Sequence, residues 1–381
     1  MAIGREQVLA FRLASHGLDH RTKGLVEAAG RCGIQETPLG SAAVAIHARV
    51  DGLSTEKLER ALAKDRSLLV LWAMRGAPHV VPATDLGVFT IGALPLDSPS
   101  FRQTLGGWAP ALDKVDLDPF QVLERLVDSA MKLLDGKSMG VNELRDRLYA
   151  RVRSLHQIER PGSARDDMPE PLFRAIGTKG EVCIVSGRGT DSVIARTDQW
   201  LHRSKGSVDR DEARAELARR FLHCYGPATP QHFAEWTKRS LADAKQAFEL
   251  IEAELTEVTM AGKKGLLMAA DDQALGSPPE TTGIRLLPVQ DPYLQQRDRA
   301  TLLPDQTARR RLWQAIRGPG ALLVDGVVTG TWRGRVKGDR WEVAIEPFGR
   351  LEAKVRDAIS DEAEIMAPLK GCSSTGVEVS G

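Results

Sequence analysis

No two cysteines of this 381-residue chain lie close enough in sequence to read as a pair: Cys32, Cys183, Cys224 and Cys372 form no CxxC. That excludes the closely spaced ligand pairs of most structural zinc sites, and the disulfide framework of a small secreted domain. No segment approaches the roughly 20 consecutive apolar residues needed to span a bilayer, and the N-terminus lacks the apolar stretch of a signal peptide. The expectation is a cytoplasmic protein with reduced thiols and no membrane partner. An excess of charge of one sign is missing too. Lys plus Arg number 52 against 51 Asp plus Glu, a net charge of +1, so any case for nucleic acid rests on where the cations sit. The phosphate-binding patterns GxxxxGK[ST] and GxGxxG are absent, as are HExxH and the nucleophile elbow GxSxG. The eight histidines show no ligand constellation beyond the i, i+4 pair His16 and His20. With no third ligand nearby, neither a metal nor a cofactor is expected.

What is present is a soluble, globular composition, 42% hydrophobic and 27% charged, long enough for two to four domains. The first two thirds repeats one pattern: two short helices, a sharp turn between them, then a strand pair. In YGPATPQHFAEWTKRSLADAKQAFELIEAEL, residues 225 to 255, Thr229 and Pro230 give a cap and a first-turn proline. Phe233 and Trp236 mark one buried face, and Ser240 caps a second helix with Ala244, Phe248 and Ile251 on one side. Two hydrophobic runs around Lys263 and Lys264 then read as a hairpin. Helix-turn-helix plus hairpin predicts a winged helix. An earlier copy starts at Leu53 and closes on SLLVLWAM and HVVPAT around Arg75, with His79 following. A looser one runs from residue 138 to a hairpin at 181–197 tipped by Arg188.

From Ile284 onward the pattern changes to short strands separated by Asp-Gly, Gly-Thr and Gly-Asp turns. Between Arg285 and Arg356 there are 14 Lys plus Arg against 8 Asp plus Glu, and this is where the hidden basicity sits. Arg333 and Arg335 belong to it, as does the run Arg309 to Arg311, which reads equally as a solvated helix face. The predicted architecture is α+β: three tandem winged-helix modules (1–110, 111–205 and 206–282), then a small antiparallel, barrel-like domain at 283–381. Repeated cations at wing tips suit phosphate contact along a path. The same module also serves protein contacts, and glycine with lysine is common at any exposed turn.

Several stretches together resemble the winged-helix DNA glycosylases typified by AlkZ and YcaQ: GIQET with AIHAR, LLVLWAMRGAPHVVP, YGPATPQHFAEW, LLPVQDPYLQQRDR and VVTGTWR. They run over nearly the whole chain in the family's order. The resemblance implies three winged helices with a β-barrel domain embracing duplex DNA. It also implies hydrolysis of the N-glycosidic bond of alkylated purines, including bulky adducts at guanine N7. The family's catalytic motif, Gln-aliphatic-Gln or Gln-aliphatic-Asp, falls on Gln35-Glu36-Thr37. Gln35 matches; Glu36 replaces the aliphatic residue and Thr37 the last. On this reading Gln35 and Thr37 orient a water and Glu36 supplies negative charge, while Arg75, His79, Arg188, Lys263, Lys264, Arg333 and Arg335 face the DNA. No catalytic lysine stands at the expected position, so a monofunctional glycosylase acting as a monomer is expected. The competing readings are a DNA-binding regulator or lesion-binding factor with a degenerate motif, a protein-interaction scaffold, and an ordinary helix cap at Thr37-Pro38.

Overall fold

The structure is a computed structural model, and it describes residues 2–105, 109–110, 116–152, 170–202, 208–260 and 262–380. The expected module boundaries at 110/111 and 205/206 abut or fall within residues outside that set. The chain divides into two compact units, one made of Met1–Arg60, Arg220–Thr229 and Ala253–Gly381, the other of Ala61–Arg219 and Pro230–Glu252.

The first unit is built on a five-stranded sheet whose neighbouring strands are Ile284–Leu287, Gly320–Val324, Val327–Lys337, Arg340–Pro347 and Ser374–Val379. Its sequence logic lies in the side-chain alternation of a strand. Leu286 and Leu322 point to one core with Trp332, Trp341 and Ile345, whereas Leu287, Ala321 and Leu323 point to another with Leu13, Tyr293 and Leu294. A strand buried on both faces has no polar alternation, which is why GALLV reads as an unbroken apolar run. The turn Asp325-Gly326 has φ of 48° and 78°, the two positive values that a two-residue hairpin turn demands.

The expected barrel is corrected here: the sheet is open, with Ile284–Leu287 and Ser374–Val379 at its two edges. The physical reason is the helix Ala353–Met366, which leads into a last strand parallel to its neighbour. Ile359, Ala363 and Met366 of that helix cover the Trp332 and Trp341 face. That face is buried by a helix instead of by closure. A second, three-stranded sheet in this unit joins Ala2–Ile3 to the hairpin Leu255–Met260 and Lys263–Met268.

The second unit contains the other two expected hairpins, Leu68–Trp72 with Pro78–Pro82 and Val182–Ser186 with Val193–Arg196. They are not separate sheets, because Val70 pairs with Ile184 and joins them. The helix Pro119–Leu133 shows how sequence sets this core. Asp118 accepts from the N–H groups of Phe120 and Gln121 at 2.9 and 3.1 Å, and Pro119 starts the first turn. Val122, Leu123, Leu126, Val127 and Ala130 then fall on one buried stripe, packed with Leu144, Leu148 and an edge-to-face pair of Trp72 and Phe173. The helices Pro230–Thr237 and Leu241–Glu249, the latter capped by Ser240 as expected, belong to this unit as well. No helix among the described residues is long and apolar enough to cross a membrane.

Candidate active site and DNA-contact residues

Gln35 ends the short strand Ile34–Gln35 and is 8% exposed. Its backbone carbonyl accepts from the Ser41 hydroxyl at 3.0 Å, and its side-chain Oε1 accepts from Nε2 of Gln295 at 3.4 Å. The Gln295 amide is itself held by donation to the Gln290 carbonyl at 3.0 Å. Two glutamines therefore meet here, one from the expected motif and one from 260 positions downstream.

Glu36 is half-buried and its carboxylate is engaged. The N–H groups of Gly40 and Ala42 donate to its two oxygens at 2.7 Å each. Gly40, at the N-cap of helix Ser41–His47, has no side chain with which to satisfy those first-turn amides. Glu36 does so from four residues upstream, and its charge sits favourably at the helix N-terminus. Thr37 is exposed and precedes a cis peptide bond to Pro38. Ala42, Val44, Ala45 and Ile46 of the helix are buried, so its small residues serve close packing.

The segment that carries Gln295 is bolted to the N-terminal region. Arg49 and Asp291, 2% and 0% exposed, form a two-pronged pair with both N···O distances at 2.8 Å. Arg49 also donates to the carbonyls of His16 and Ala45, and Asp291 accepts the N–H of Tyr293. Arg12, fully buried, reaches Gln296 at 2.7 Å, Asp298 at 2.9 Å, and the carbonyls of Gly226 and Pro227. The stretches AIHAR, YGPAT and VQDPYLQQRDR thus contribute buried hydrogen bonds within one unit. Sequence reasoning singled these stretches out but missed Arg12, Arg49, Asp291 and Gln295 as individual residues. For Arg12, Arg49 and Asp291 the signal was there, a charged residue inside an otherwise apolar run; the uncharged Gln295 gave none.

The expected DNA-facing residues occupy very different settings. Arg188 is exposed at its hairpin tip between Gly187 and Gly189, both at positive φ. A Cβ on Gly187 would sit 2.0 Å from the Asp191 carbonyl, so no other residue fits that turn. Lys263 and Lys264 are exposed on the third hairpin, and Lys264 is paired with Glu257 at 2.8 Å. Arg333 and Arg335 are exposed on one face of a single strand, Arg333 donating to the Arg317 carbonyl and the Gln314 side chain and Arg335 lying opposite Glu342.

Arg75 is half-buried in a left-handed turn at φ 60° and donates to the Trp236 carbonyl at 2.7 Å. It lines a cleft of about 330 Å³ with Arg174, Lys238, Phe101 and Thr178. Within the first unit the structure brings Gln35 and Glu36 together with Gln295; among the cations, Arg333 and Arg335 share a strand face.

His79 is placed in the core, 1% exposed, with Nδ1 bonded to the Ala77 carbonyl at 2.8 Å. Burial, and then the Arg75 charge, push its pKa down to about 3. A histidine in the unfolded chain takes up its proton near pH 6.5. Between pH 6.5 and 3 the unfolded state binds more protons, so His79 costs stability as pH falls. At pH 5 the loss is about 2 kcal/mol relative to pH 7. His223, raised by its bond to Asp271, acts with the opposite sign, so the contribution is read by difference. The urea midpoint of the wild type should fall more between pH 7 and 5 than that of His79→Gln; equal falls would refute it.

Comparison with known proteins adds to this geometry. A family model described as AlkZ-like DNA glycosylase matches residues 28–369. An interstrand DNA cross-link repair glycosylase from Streptomyces sahachiroi is 28% identical over 387 residues, with 98% of each chain covered. The solved structure of the Streptomyces sahachiroi DNA glycosylase AlkZ superposes with a TM-score of 0.78 at 26% identity, covering 100% of both chains.

Proposed function

Since this chain belongs to the AlkZ-like DNA glycosylase family, we propose that it hydrolyses the N-glycosidic bond of alkylated or bulky-adducted purines, of the N7-guanine kind, in duplex DNA, without a lyase step. We further assign the three winged-helix modules to residues 1–110, 111–205 and 206–282. The observation that carries the reading is Gln35, which the resemblance sets in the catalytic motif and which is nearly buried and bonded to Gln295.

An N7-alkylated purine already bears a positive charge, so it leaves with the bonding electron pair and needs no proton from the enzyme. The sugar left behind is cationic at C1′, and a water adds there while losing its proton to solvent. Gln35 accepts a hydrogen bond from that water and fixes its approach, with the exposed Thr37 hydroxyl as a second contact. The Glu36 carboxylate, pinned by two helix amides, offers fixed negative charge toward the cationic sugar. With both oxygens occupied by amides, its part is electrostatic. That same engagement favours the second reading, a lesion-binding protein without turnover.

Duplexes with N7-alkylguanine, N3-alkyladenine and, following the relative's name, an interstrand cross-link separate the two. Released base and alkali-labile abasic sites are the expected products. Tight binding with intact DNA would leave the lesion-binding reading standing instead.

Arg188, Lys263, Lys264, Arg333, Arg335 and the half-buried Arg75 form the proposed phosphate-facing set; the core placement of His79 makes it a brace for the Arg75 turn. Arg188→Ala is expected to weaken duplex binding regardless of sequence and to shallow the salt dependence by about one counterion. Lys264→Ala should do less, since Glu257 already offsets its charge. Anisotropy titrations over a salt series measure both, and unchanged slopes for all the exposed tips would reject the docking surface.

A further inference from the structure

Three ligand atoms converge inside the first unit without any assigned purpose. His16 follows the helix Arg5–Ser15, Cys32 stands three residues before Gln35, and Cys224 lies near the end of the helix Arg210–Tyr225. An imidazole nitrogen and the two sulfurs all lie within 4.8 Å of one another. The residues are 1%, 3% and 0% exposed.

The hydrogen bonding around them is incomplete in a specific way. Nδ1 of His16 lies 2.8 Å from the Arg12 carbonyl. A carbonyl only accepts, so Nδ1 carries the proton and Nε2 presents a bare lone pair. Nε2 is buried and has no hydrogen-bond partner. Leaving such an atom unsatisfied is costly in a dry interior. A ring nitrogen bonded to a backbone carbonyl, with the other left open, is also the arrangement that orients metal-bound histidines. The thiols face each other and Cys32 also faces Tyr225, while their carbonyl contacts are long: Cys32 sits 4.0 Å from the Arg220 carbonyl, and Cys224 sits 3.8 Å from those of Ser15 and Arg31.

We propose that His16, Cys32 and Cys224 form a zinc(II) site. Two thiolates and a neutral imidazole cancel the charge of a divalent cation, so the complex is neutral in a dry interior. A monovalent copper ion on the same ligands would leave a net negative charge, and magnesium or calcium would seek oxygen. Three protein ligands suit zinc, with a water in the fourth tetrahedral position. The ion would tie the first helix, the helix 210–225 and the strand that carries Gln35. His20, the i+4 neighbour of His16 in sequence, is paired to Asp19 with its side chain 73% exposed.

The test uses the full chain, purified under reducing conditions without a metal-affinity step. Elemental analysis should find about one zinc per chain. After chelation, cobalt(II) should restore one equivalent with thiolate-to-cobalt charge-transfer absorption. Cys32→Ser and Cys224→Ser should lose the stoichiometric metal and the absorption, while Cys183→Ser keeps both. Because a serine in this interior can unfold the chain, the wild type is also scored alone. A chelated protein that keeps its circular dichroism yet gives no thiolate-to-cobalt absorption overturns the site. So does equal metal retention by a folded Cys224→Ser variant, or a denatured, unreduced chain with only two of its four thiols free.

Discussion

Gln35→Ala is expected to slow single-turnover release of N7-alkylguanine from duplex DNA by about 100-fold or more, the scale of losing a positioned water contact. Affinity for the lesion and the melting temperature should stay close to wild type, because the bond from the Gln295 amide to the Gln35 side chain is long, at 3.4 Å. Gln295→Ala should slow release by about tenfold through misorientation of the Gln35 amide. Glu36→Gln removes the charge but keeps an oxygen for one helix amide, so a fall in rate without loss of fold would place the charge in the chemistry. A Gln35→Ala enzyme with undiminished turnover would remove this site from the mechanism altogether.

Breaking the Arg49–Asp291 pair should have the largest effect on stability. Both groups are essentially sealed from solvent and share two bonds at 2.8 Å. Removing one partner strands a buried charge, which costs about 3–5 kcal/mol. Arg49→Ala loses two further bonds to the carbonyls of His16 and Ala45, so it should cost at least as much as Asp291→Ala. Replacing both should cost less than the sum, since neither leaves the other unpaired. Denaturant unfolding of the two single variants and the double variant measures this cycle; additive losses would contradict it.

What the sequence disclosed followed range. Hairpins were legible because strand and turn are local: the runs flanking Arg75, Arg188 and Lys263 became the strand pairs expected of them. The cap at Ser240 was legible for the same reason. The sheet after residue 284 was legible as strands but not as an open sheet, because closure depends on what covers a face. Nothing local says that the helix Ala353–Met366 lies on Trp332 and Trp341. At the candidate site, Gln35 stood out through its motif, whereas Gln295 acts from 260 residues away. The pieces around Arg49 and Asp291 entered through the family resemblance alone, and their charges face each other inside the core. A basic residue in a sequence says nothing of its surroundings, as buried His79 and exposed Arg188 also illustrate.

The bridge between Val70 and Ile184 has a geometric consequence for how such a protein varies. The turn of Arg75 and the tip of Arg188 are leaves of one sheet, so their separation is set by strand register, in steps of one residue. Inserting one residue into Val182–Ser186 would not lengthen a tether. It would reverse which side chains of that strand meet the core, moving Val182 and Ile184 off the cluster they share with Ile194. Variation in reach is therefore confined to the turns themselves, where length can change without disturbing the ladder beneath.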